Sequence, residues 1–127
     1  MSIIIRKIKT KDLAEDTQFD YDNEKVIISD WELGKSVEEH FGEPDVEWFY
    51  EISLIDLEKV NKYLKERIKV TALSELASAQ KEYISKCNDE KIKELFMLLI
   101  SYMKKGNGFA LITELEKTGI MIKKSSF

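Results

Sequence analysis

Near residue 55 the hydrophobic period of this chain changes, and that change limits the folds open to it. Val46, Trp48, Tyr50, Ile52 and Leu54 alternate with Glu47, Phe49, Glu51 and Ser53, the period of a strand with one face toward a core and the other toward water. From Asp56, a candidate N-cap, the spacing becomes helical: Leu57, Val60, Leu64 and Ile68 form one stripe, and Leu73, Leu76, Ala77, Tyr83, Ile84 and Cys87 a second. Asn88 or Asp89 restarts a helix through Ile92, Leu95, Phe96, Leu99 and Met103. Met97, Leu98 and Ile100 widen its apolar face so far that it should be the central helix. Gly106-Asn107-Gly108 interrupts, a last helix runs from Phe109 to Lys117 through Ile112 and Leu115, and Gly119 closes it at C′.

Upstream, Ser2 to Lys9 and Lys25 to Trp31 read as strands. Asp12 to Glu24 reads as an acidic connecting loop or hairpin. Ser36 caps a short helix ended by Gly42 and Pro44. The tail, 120–127, either rejoins the sheet as a strand or frays. Strands followed by helices predict an α+β fold, a small mainly antiparallel sheet covered on one face by three or four helices. The 127 residues suit a single domain, 1–127, with a strand-rich acidic part over about 1–55 and a helical part over about 56–119.

Charge is divided along the chain. Between Asp12 and Glu58 stand 16 acids and two lysines, a segment charge of −14, against +10 elsewhere and −4 overall. Unpaired charge is too costly to bury, so part of this acidic segment should be open surface, able to attract a basic partner. A single cysteine rules out an intramolecular disulfide. The N-terminus lacks a secretory apolar core, and the longest apolar run, Leu95 to Ile100, is far too short to span a bilayer. A cytoplasmic protein with no membrane partner is the expectation.

Motifs for chemistry fail on inspection. Gly34-Lys35-Ser36 ends like a phosphate-binding loop, but the first glycine of that motif would fall at Ser29, and Asp30 and Glu32 would repel phosphate. It reads as a strand-to-helix turn; a nucleotide-binding enzyme using Gly34, Lys35 and Ser36 is the alternative from another class. Asp20 to Glu24 spaces oxygen ligands like a calcium loop, yet Lys25 stands where its glycine belongs and Trp31 where its bidentate Glu belongs. One histidine, His40, and one cysteine, Cys87, cannot close a zinc site. The run Lys59, Lys62, Lys65, Arg67 and Lys69 is interspersed with Glu58 and Glu66, so solvated lysines are expected there rather than nucleic-acid binding. No catalytic residue, metal or cofactor is expected. Helix Lys91 to Lys105 could instead serve a structural subunit as its interface.

Aromatics interleaved with acids are the remaining constellation. Asp30, Trp31, Glu32, Glu38, Glu39, Glu43, Asp45, Glu47, Phe49 and Glu51 are the expected partner-binding residues, with Trp48 and Tyr50 in the core. The stretch Ser29-Asp30-Trp31-Glu32-Leu33-Gly34-Lys35-Ser36-Val37-Glu38-Glu39-His40-Phe41-Gly42, continuing through Asp45, Glu47, Phe49 and Tyr50, resembles small acidic bacterial immunity proteins of polymorphic toxin and contact-dependent growth inhibition systems. Phe109 to Lys117 followed by Thr118-Gly119-Ile120 is similar to the end of such chains. The resemblance implies a non-enzymatic cytosolic protein that binds a toxin domain, often a nuclease, and blocks its active site or holds it inactive. It assigns no site residue.

Overall fold

The computed structural model describes residues 2–34, 45–106 and 108–126. Its sheet is a five-stranded antiparallel meander in the order β1 (Ile3–Lys9), β2 (Leu13–Tyr21), β3 (Lys25–Gly34), β4 (Asp45–Ser53) and β5 (Ile122–Ser126). Between β4 and β5 the chain forms α1 (Leu57–Lys65), α2 (Ser78–Ser85), α3 (Glu90–Met103) and α4 (Gly108–Glu116). The α+β architecture read from the change of period is therefore the architecture observed, and the tail does return to the sheet, beside β4. The helix expected over Ser36 to Gly42, with His40, lies outside the described residues.

Two local readings need correction. Asp12 to Glu24 contains a full strand, β2; its inward positions include Glu15 and Thr17, so the apolar alternation that marks a half-buried strand is weak there. Asp56 makes no side-chain capping bond; a 3₁₀ turn over Leu54–Asp56 leads into α1 instead. Asp89 does cap α3, accepting the backbone N–H groups of Lys91 and Ile92 at 2.8 and 3.1 Å.

The helices pack on one face of the sheet. Phe19, Val26, Ile28, Tyr50 and Ile52 point into a core shared with Leu57, Val60 and Leu64 of α1, Ile84 of α2, and Leu111 and Leu115 of α4. Helix α3 lies at its centre, with Ile92, Leu95, Phe96, Leu98, Leu99, Ile100 and Met103 all buried. A helix apolar on nearly every side has to be enclosed, and here its own chain encloses it. Of the apolar residues between Lys91 and Lys105, Met97 and Tyr102 are left partly exposed. Phe96 meets Phe19 edge to face at 5.2 Å, and Tyr83 joins the pair at 5.7 Å from Phe96 and 6.3 Å from Phe19. Cys87, 1% exposed, is buried as its stripe position implies.

A bulge between Ile4 and Arg6 shifts the register of β1 against β2. It turns Arg6 toward the inner face opposite Thr17 and returns Ile8 to that face opposite Glu15. At the far end of β3, Gly34 has φ +145°, and a Cβ there would stand 2.2 Å from the carbonyl oxygen of Asp12. The glycine of Gly34-Lys35-Ser36 is accounted for by this close approach of two strands; Lys35 and Ser36 lie outside the described residues. Gly34→Ala is expected to cost about 1–3 kcal/mol in urea unfolding, through backbone strain and collision with β2.

Candidate functional site

Strand register assembles the site. On the inner face Thr17 pairs with Asp30 and Asp30 with Trp48, while Glu15 pairs with Glu32. One end of that face is therefore charged, where the other is apolar. Ligand oxygens of Glu15, Asp30 and Glu32 lie within 4.8 Å of one another, Asp30 1% and Glu15 5% exposed. Like charges on opposed strand positions repel, and one guanidinium answers them: Arg6 donates to Glu15. Thr17 donates its hydroxyl to Asp30 Oδ1 at 3.2 Å. The first residue of α4 closes over the same carboxylate, for a Cβ on Gly108 would stand 3.0 Å from Asp30 Oδ2. Glycine is what lets the positive end of that helix approach the acid.

Burial, then the charges of Glu15 and Glu32, push Asp30 up to about 7. Burial and Glu15 also raise Glu32, with Arg6 opposing. Burial beside Asp30, Glu32 and Glu116 pushes the Tyr50 hydroxyl up to about 12. Three oxygen donors so close could hold a hard cation, but Arg6 already supplies a positive charge to Glu15. A carboxyl titrating near neutrality suits proton transfer; at 1% exposure behind Gly108, Asp30 has almost no surface to present to a substrate.

In front of the acids opens a cleft of about 410 Å³, bounded by Glu32, Trp48 and Tyr50 on the sheet, Phe109, Ile112 and Glu116 on α4, and Lys124 on β5. Phe109 at its rim is 71% exposed. Lys124 pairs with Glu116 at 2.7 Å.

The expected partner-binding residues do not form one surface. Alternation along β3 and β4 sends Asp30 and Glu32 to the inner face and Trp31, Glu47, Phe49 and Glu51 to the outer one. Asp30, expected on open surface, is buried, because it stands opposite Thr17 on the face that α4 covers. Trp48, expected in the core, is only partly buried and walls the cleft. Glu38, Glu39, Glu43 and the side chain of Asp45 lie outside the described residues. On the outer face Trp31 sits between Asp16 and Glu47, and Phe49 between Ser29 and Ser125. That face is not a bare anionic patch: Glu51 pairs with Lys25 at 2.8 Å and Lys123 at 3.8 Å, and Asp16 stands opposite Lys7.

Other ion pairs lie within the helical layer. Lys65 with Glu94, Lys86 with Glu82, Lys93 with Glu90, Lys104 with Glu75 and Lys117 with Glu114 all join helical-layer partners at 2.9–3.5 Å. Lys91 with Glu58 is a pair that crosses into the acidic segment. A five-stranded meander with one helical layer and an aromatic cleft beside buried acids defines an α+β domain. No protein-family model, curated protein or solved structure matches the chain.

Because Asp30 in the native state holds its proton to a higher pH than an unfolded carboxylate, native protein binds more protons than unfolded chain between about pH 4 and pH 7. Asp30 therefore removes stability as pH rises through that window. Asp30→Asn is expected to flatten the profile, gaining on the order of 1–2 kcal/mol over the parent between those pH values in urea titrations. Glu32, raised in the same direction, leaves a residual slope.

Proposed function

We propose that this chain is a non-enzymatic binding protein that captures a basic protein at the acidic end of its sheet. In the cell it acts as an immunity protein, holding a toxin domain inactive in the cytoplasm. The observation that carries this reading is the cluster on the inner face of the sheet: Glu15, Asp30 and Glu32 have oxygens within 4.8 Å of one another and Arg6 pairs with Glu15, while Lys65, Lys93 and Lys104 of the helical layer pair with helical-layer acids.

Such an anionic region steers a cationic partner and makes its association fast and salt-sensitive. Trp31 and Phe49 on the outer face, and Trp48 and Phe109 beside the cleft, supply aromatic anchors that slow release. A toxin domain that cuts nucleic acid holds phosphates on a basic surface, so an acidic protein seated there excludes the substrate. In the described residues no helix is long and apolar enough to cross a membrane.

The toxin in this reading is encoded beside the gene for this chain. Its C-terminal domain, expressed alone, is expected to arrest growth, and co-expression of the chain to restore it. Replacing Glu38, Glu39, Glu43 and Asp45 together by Lys is expected to slow association about tenfold at low salt in stopped-flow mixing, the deficit shrinking as salt is added. Growth arrest that the chain does not relieve removes the immunity reading, and an unchanged association rate removes the acidic end as the docking surface.

A further inference from the structure

We infer that the cleft between the sheet and α4 is a socket for one arginine side chain of the basic partner, held by Glu32 and stacked against Trp48 and Phe109. The inference rests on the binding-protein reading above and names the chemistry that reading leaves open.

The walls and floor of the cleft differ in character. Trp48, Tyr50, Phe109 and Ile112 make it apolar and largely aromatic, a poor home for a hydrated ammonium but a good one for the weakly hydrated, planar guanidinium, which stacks on ring faces. The acids Glu32 and Asp30 also line it. Glu32 is half-buried and can be touched, whereas Asp30 is 1% exposed. Two cations already stand near: Lys124, which pairs with Glu116 at the cleft itself at 2.7 Å, and Arg6, which pairs with Glu15 and opposes the rise of Glu32. Filling the cleft with an arginine would give the unbalanced carboxylates an opposite charge and shield the exposed Phe109 from water. The protein already builds one arginine–carboxylate contact on this face, between Arg6 and Glu15.

The probe is N-acetyl-arginine amide, titrated into the intact chain while the two indole N–H resonances are followed by NMR, with Trp48→Phe used to assign them. The expected result is a saturable shift of the Trp48 signal with Trp31 unmoved, abolished when N-acetyl-citrulline amide, of the same shape without the charge, replaces the probe. Glu32→Gln is expected to weaken the arginine probe about fivefold or more. Equal binding of the citrulline compound, a shift confined to Trp31, or no saturable shift overturns the socket whatever the growth assay gives. A saturable Trp48 shift beside a growth assay without rescue keeps the socket and discards the immunity role.

Discussion

The inner face of the meander has to receive a helix that is apolar on nearly every side. Helix α3 can be stable in water only if the sheet and the other helices enclose it, and the contact that seats it is Phe96 against Phe19, with Tyr83 completing the aromatic group. That requirement makes one end of the inner face apolar, through Phe19, Val26, Ile28 and Ile52. It leaves Glu15, Thr17, Asp30 and Glu32 to gather at the other.

Gathering acids in this way is unfavourable for folding. Three carboxylates around one guanidinium repel one another, and the strain is visible in how readily Asp30 retains its proton. Thr17 and the close approach of Gly108 offset part of the cost without removing it. Residual electrostatic stress of this kind, turned toward a cleft with aromatic walls, is what a positively charged ligand can relieve. The same groups that lower the stability of the free domain would then strengthen its complex, a trade-off common where binding sites depart from the best arrangement for folding.

Charge is organised by layer in this molecule. The helical layer largely balances its own lysines with its own glutamates, and the outer sheet face balances Glu51 against Lys25 and Lys123. Exposed pairs of this sort contribute little stability, but they decide where the net negative charge remains. Part of it lies with Glu15, Asp30 and Glu32 at one end of the inner face and part with Asp20, Asp22 and Glu24 about the β2–β3 turn.

Much of the architecture was legible before any coordinates. The alternation of β4, the helical stripes after Asp56, a helix start at Asn88 or Asp89 and the enclosed character of α3 are local patterns, because the period of apolar residues reflects which face of an element meets the core. Strand β2 was not legible, since Glu15 and Thr17 occupy inward positions where apolar residues would have announced it. Nor could the acidic stretch be divided: that Asp30 turns inward while Trp31 turns outward follows from alternation, but which side is inward depends on where the helices pack. Residues so far apart in the chain as Arg6, Glu15, Asp30 and Phe109 become neighbours only through strand register and the docking of α4. Periodicity is written residue by residue, so the chain alone determined its elements and their order. Proximity between distant charges is a property of packing, and the tertiary structure alone decided where they meet.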